Sequence, residues 1–184
     1  MVLPATPLWT IVMIINTDWF GASCPKVSFD LTSQNKHIIF TATLPPTLTQ
    51  PIGIAGQYTE GLWEHDVAEL FINNPNTGKY IEINIAPNGA WWLMLFTAPR
   101  QRDPHFVTDA FTLTPKVQQS KQSGEISLTI PHKLLHSLLG STNYHYNVCF
   151  ILGESPRQYM SLNQLNSKQP DFHRPDEFAT IVSL

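Results

Sequence analysis

The sequence predicts an all-β protein, an antiparallel two-sheet β-sandwich with one short helix. Three observations carry that expectation. Short segments of strand composition recur along the whole chain with turn-forming residues between them. Only one segment has helical spacing. Proline is abundant, at 15 residues, while only 14% of residues are charged, a balance that suits a turn-rich globular chain and excludes a coiled coil or a disordered tail. A chain of 184 residues can bury one core, and no break in composition divides it, so residues 1–184 are read as one domain.

Taken in order, the apolar run Leu8 to Ile15 is the first element, with the strand itself over Trp9 to Ile15. No Lys or Arg precedes the run, it is shorter than a membrane span and no small-residue cleavage pattern follows, so it is read as a buried first strand. Neither a leader nor a membrane partner is expected, and a cytoplasmic location follows from that reading. Val27 to Leu31 and His37 to Leu44 continue the strand pattern. Asp66 to Ile72, Lys79 to Ile85 and Ala90 to Phe96 form an antiparallel meander, because Asn73-Asn74-Pro75-Asn76-Thr77-Gly78 and Ala86-Pro87-Asn88-Gly89 are dense in residues that preset turns or accept positive φ. Ala110 to Val117 and Glu125 to Ile130 follow. Pro131 then opens a helix that carries Leu134, Leu135, Leu138 and Leu139 on one side and stops at Gly140. Tyr144 to Leu152, Arg157 to Leu162 and Phe178 to Val182 complete the strands.

The meander has a register that can be written down. With Asn88-Gly89 as a two-residue turn, Ile85 lies opposite Trp92, Ile83 opposite Met94 and Ile81 opposite Phe96, and those six residues face the core. Glu82, Asn84 and Trp91 then face the other way, with Val67, Glu69 and Phe71 as neighbours on the preceding strand. Trp92 is accordingly read as core.

Charge and motifs narrow the function. Eleven basic and 14 acidic residues leave a formal charge of −3, and the basic residues are scattered, so no nucleic-acid partner is expected. Cys24 and Cys149 have neither the number for a disulfide framework nor metal-ligand spacing. Glu64-His65-Asp66 matches no metal motif and is read as hydrated, and no nucleophile elbow, phosphate-cradling glycine loop or Cys-x-x-Cys occurs. No catalytic residue, metal or cofactor is assigned.

Several blocks in order carry a resemblance: Gly61-Leu62-Trp63, Glu69-Leu70-Phe71, Tyr80-x-Glu82-x-Asn84-x-x-Pro87-x-Gly89-x-Trp91, and Asp171-Phe172-His173-Arg174-Pro175-x-x-Phe178. Together they resemble the DOMON-like β-sandwich superfamily, and within it the branch related to family 9 carbohydrate-binding modules. The resemblance implies a jelly-roll-like sandwich and a sugar site in which two tryptophans clamp a ring while charged and amide side chains bind its hydroxyls. Relatives end the strand after the glycine turn with an aromatic and an Arg, whereas this chain has Leu95-Phe96-Thr97-Ala98-Pro99-Arg100.

The expected ligand is a small carbohydrate or similar polyhydroxylated molecule. Trp63, at a loop edge, and Trp91 would stack on it, Glu69, Glu82 and Asn84 would exchange hydrogen bonds with its hydroxyls, and Arg174 would reach it from the C-terminal segment. Two alternatives stay open. Met94, Met160, His145 and His173 are candidate axial ligands for a haem-binding electron-transfer domain. Glu69 and Glu82 are a candidate carboxylate pair for a glycoside hydrolase.

Overall fold

The structure, a computed structural model, describes residues 9–46, 52–120, 123–141, 143–178 and 180–183. Leu8, which opens the apolar run, and Ala179, within the closing strand segment, lie outside the described residues. The strands are β1 (Trp9–Thr17), β2 (Ser23–Gln34), β3 (His37–Leu44), β4 (Val67–Asn73), β5 (Tyr80–Ile85), β6 (Trp91–Ala98), β7 (Gln101–Arg102), β8 (Lys116–Gln119), β9 (Gly124–Pro131), β10 (Asn143–Leu152), β11 (Gln158–Ser161) and β12 (Thr180–Ser183), and the helix α1 is His132–Leu139. They form two antiparallel sheets, as the composition predicts. One runs β1-β2-β3-β9-β8; the other runs β11-β10-β4-β5-β6-β7, with β12 also paired to β10.

The two sheets differ in how much of each is covered. In the first, residues alternate between buried and partly exposed, as in β3, because one face meets the core and the other meets solvent. Val27, Phe29, Leu31, Phe40, Leu128 and Ile130 from this sheet interlock with Leu70, Ile81, Ile83, Ile85, Val148 and Phe150 from the second. In the second sheet all of β4 and β5 is buried on both faces. Its outer face is roofed by a 3-10 turn at Leu62–Glu64 and by the C-terminal segment, which together make a second apolar cluster of Leu62, Phe71, Tyr80, Trp92, Phe96, Phe172 and Phe178. The helix forms where expected, with Pro131 before it, Leu135 and Leu139 buried one turn apart, and Gly140 closing it through an N–H donated to the His136 carbonyl at 2.8 Å.

The β5–β6 register departs from expectation by one residue. Ile85 pairs with Trp91, Ile83 with Leu93 and Ile81 with Leu95. The cause is turn length. Gly89 N–H donates to the Ala86 carbonyl at 2.8 Å and Ala86 N–H to the Ala90 carbonyl at 2.9 Å, enclosing the three residues Pro87, Asn88 and Gly89, with Gly89 at φ +86°. This is a type I turn closed by a left-handed glycine, a standard three-residue hairpin loop. The extra residue exchanges the faces of β6. Trp91, Leu93 and Leu95 enter the inter-sheet core, and Trp92, Met94 and Phe96 face out beside Glu82 and Asn84.

Two further expectations are corrected, and one strand is added. β1 is a sheet edge and not a buried strand: Trp9, Ile11 and Ile15 pack inward, while Val12 and Ile14 are 64% and 54% exposed. Of Ala110 to Val117 only the end pairs, as β8; Phe111 instead stacks on Phe106 at 5.2 Å and Leu113 fills the core from a loop. The two-residue strand β7, absent from the sequence reading, brings Arg102 opposite Phe96. Among the described residues no helix is long and apolar enough to cross a membrane.

Candidate functional site

A cleft of about 300 Å³ lies on the outer face of the second sheet. Its floor is the outward set of side chains from three adjacent strands: Glu69 and Phe71 from β4, Glu82 from β5, Trp92 and Phe96 from β6. Trp63, Arg100, Arg102, Tyr159, Phe172 and His173 complete its lining.

The aromatic side is tightly held. Trp63 meets Trp92 edge to face with ring centres 5.0 Å apart, and the Arg102 guanidinium lies over both rings at 5.7 and 5.2 Å. The main chain of the Trp63 turn is fixed from below by Arg157, which donates to the Glu64 carbonyl at 2.8 Å and to the Trp63 carbonyl. Glu60 gathers the other ends: its carboxylate accepts from Trp92 Nε1 at 2.8 Å, from the Tyr58 hydroxyl at 2.8 Å and from Arg102 at 2.6 Å. Burial raises the Glu60 carboxyl, but the hydrogen bonds from Trp92, Arg102 and Tyr58 outweigh it and leave it below its ordinary value. Burial and the bond to Glu60 push the Tyr58 phenol up to about 12.

The carboxyl side is built differently. Glu69 and Glu82 are 1% and 3% exposed, and Glu69 pairs directly across from Asn84. Asn84 Nδ2 donates to Glu82 Oε1 at 2.9 Å. Glu69 Oε1, Glu82 Oε2 and Asn84 Oδ1 are buried with no hydrogen-bond partner in the protein. Desolvation pushes both acids up, Glu82 to about 7, and the Glu82 charge pushes Glu69 further.

His173 closes this side with a defined tautomer. The Tyr80 hydroxyl accepts from the Arg100 N–H at 3.0 Å and has one proton to donate, which points to His173 Nδ1 at 2.8 Å. Burial and the Arg100 charge lower the imidazole to about 4, so the ring is neutral near pH 7 with its proton on Nε2, facing Glu82 Oε2 at 3.6 Å. Arg100 is itself anchored by Asp171 at 2.7 Å. Chemically, the cleft offers aromatic faces at one side and spare hydrogen-bond acceptors at the floor.

The sequence matches no family model and no curated protein. Solved structures do match. A protein of Bacteroides uniformis ATCC 8492, described as a "putative carbohydrate-binding protein", aligns with a TM-score of 0.75 over 94% of this chain and 85% of its own, at 15% identity. A family 9 carbohydrate-binding module of Caldicellulosiruptor kristjanssonii, solved in complex with cellotriose, aligns with a TM-score of 0.56 over 88% of this chain and 76% of its own, at 11% identity. The chain has a carbohydrate-binding-module-like fold. At these identities the likeness is one of fold.

Of the residues singled out from the sequence, Trp63, Glu69 and Glu82 come together in the cleft, and Asn84 lies buried beside Glu82. Trp91 does not reach it. Its ring is 3% exposed in the inter-sheet core, with Nε1 donating to the Gly56 carbonyl at 3.1 Å, because the longer turn reverses β6. Trp92, expected in the core, takes the place beside Trp63. Arg174 is outside the cleft lining and is bound by Glu177, its Nε donating at 2.6 Å. The adjacent His173 enters instead.

Arg102, Glu60 and Tyr159 were not anticipated, and only the aromatic-plus-arginine ending of related strands hinted at a guanidinium near Arg100. Among the haem candidates, Met160 is in the inter-sheet core and His145 sits opposite Asn73 on β10, while Met94 and His173 are on the outer face. Among the described residues no group of three or more His, Cys, Asp or Glu is placed to hold a metal ion.

Proposed function

We propose that this protein binds a carbohydrate in the outer-face cleft without cleaving it. The observation that carries the reading is the juxtaposition of the Trp63–Trp92 pair with two buried carboxyl groups that each keep an unpartnered oxygen. A pyranose ring presents an apolar C–H face to an aromatic wall and hydroxyl donors around its rim, which is the complement of this arrangement. Trp63 and Trp92 supply the wall; Glu69 and Glu82 accept from the hydroxyls; Asn84 orients Glu82. A cleft of about 300 Å³ is at the small end of the ligand-site range, which favours a monosaccharide or the end of a chain over a long interior stretch. The fold shared with a module solved with cellotriose supports the same ligand class.

Binding is preferred to hydrolysis because the fold is shared with a carbohydrate-binding module solved in complex with cellotriose, and the sequence holds no nucleophile, base and orienting group in a recognised catalytic pattern.

Calorimetry with monosaccharides and with cellotriose, on wild type, Trp63→Ala and Trp92→Ala, tests the proposal. Wild type is expected to bind at least one of these sugars, and each substitution to weaken it roughly tenfold or more, the loss of a stacked face. The reading fails if no sugar binds or if both variants bind as tightly as wild type.

A further inference from the structure

The floor of the cleft is short of positive charge. Four carboxyl groups surround it, Glu60, Glu69, Glu82 and Asp171, and three guanidinium groups, Arg100, Arg102 and Arg157. Each guanidinium charge is already held by a partner. Arg100 holds Asp171, Arg102 holds Glu60, and Arg157 spends both terminal nitrogens on the carbonyls of the Trp63 turn. His173 is neutral near pH 7 and accepts at Nδ1. With every acid ionised the set is one positive charge short, and the deficit falls on Glu69 and Glu82.

The unpartnered polar atoms that the floor strands present have the same sense, while the nearby donors are Arg157 Nε, on a guanidinium fixed to the Trp63 turn, and His173 Nε2, 3.6 Å from Glu82 Oε2. Glu69 Oε1, Glu82 Oε2 and Asn84 Oδ1 all accept, and Asn84 Nδ2 donates to Glu82 Oε1. A sugar hydroxyl supplies one donor and no charge, so with a neutral sugar bound a carboxyl must keep a proton. An ammonium supplies three N–H donors and the missing charge together, in a site where desolvation strengthens charge-assisted bonds.

We propose that the cleft's ligand is a sugar carrying a free amino group, with its ammonium seated between Glu69 and Glu82. This rests on the carbohydrate reading above and narrows it to a ligand class. The aromatic wall then holds the ring, and the charge match selects for the unacetylated amine.

Calorimetry at about pH 7 with glucosamine, glucose and N-acetylglucosamine separates the two levels. Glucosamine is expected to bind at least roughly tenfold more tightly than the other two, and that advantage to disappear in Glu69→Gln and in Glu82→Gln, with thermal melts confirming that both variants fold. In wild type, repeating the glucosamine titration in buffers of different ionisation enthalpy is expected to show proton release, as the bound ammonium ionises the acids. Glucose binding as well as glucosamine would overturn the amine proposal and leave the carbohydrate reading standing. An advantage that survives both Gln substitutions would overturn the seat between the two acids. Binding by none of the three sugars, nor by cellotriose, would bring down both readings.

Discussion

Trp91 and Trp92 are consecutive residues on opposite sides of one sheet, the first sealed between the sheets and the second forming the cleft wall with Trp63. Their substitutions therefore separate stability from binding.

Trp91→Ala is expected to open a cavity in the inter-sheet core and cost about 3–5 kcal/mol, whereas Trp63→Ala, at the cleft edge, should lower the melting temperature far less. Thermal denaturation of the two variants checks the order. If Trp63→Ala proved the more destabilising, the assignment of faces to β6 would be wrong.

Ile83→Asp and Leu93→Asp should be equally severe, because the two side chains are paired neighbours in the core and each substitution buries an unpaired charge, costing more than about 4 kcal/mol. In the register with a two-residue turn, Leu93 would face the other way. Expression and urea denaturation of both variants distinguish the two: a nearly native Leu93→Asp would restore the shorter turn.

Gly89→Ala is expected to destabilise by more than about 1 kcal/mol, since a Cβ there meets Val117 Cγ2 at 2.9 Å and the residue sits at φ +86°. Val117→Ala in the same chain removes the clash and leaves the backbone strain. Partial recovery in the double variant is the expected result, and full recovery would mean that strain contributes nothing.

Two groups in the cleft make opposite pH contributions. Glu82 rises from an ordinary 4.5 to about 7 on folding, so the folded state holds the proton more tightly; its stabilising contribution is complete below about pH 4.5 and is lost as pH rises to about 7. His173 falls from 6.5 to about 4, so the folded state disfavours the proton, and its contribution is complete above about pH 6.5 and lost as pH falls towards 4. Melting curves from about pH 4 to pH 7 should therefore show the stability difference between wild type and Glu82→Gln moving against wild type as pH rises, and that for His173→Gln moving towards it. Parallel curves for all three proteins would reject both shifts.

The fold was legible where periodicity and punctuation agree. Pro131, the leucines and Gly140 delimit α1, and the asparagine- and glycine-rich turns delimit β4 and β5. β6 was harder for a physical reason: both of its faces are apolar, so hydrophobic alternation does not choose between two registers, and only the number of turn residues does. β1 misled because an apolar run at a sheet edge has the same composition as one at its centre. In the site, Glu69 and Glu82 were readable as acids among buried strand residues. Arg102 was not, because a two-residue strand leaves no pattern, and neither was the exchange of Arg174 for His173, which depends on how a loop is rolled.

The hairpin at Pro87-Asn88-Gly89 decides which indole lines the cleft. A slip of the pairing by one residue, closing a two-residue turn at Asn88-Gly89, would turn Trp91, Leu93 and Leu95 towards the cleft and drive Trp92, Met94 and Phe96 between the sheets, an exchange of one greasy trio for another. The sandwich could survive that inversion with much of its oil intact, while the indole that Glu60 steadies would vanish from the cleft. A one-residue slip at this turn would strip the cleft of its aromatic wall before it cost the sandwich its core.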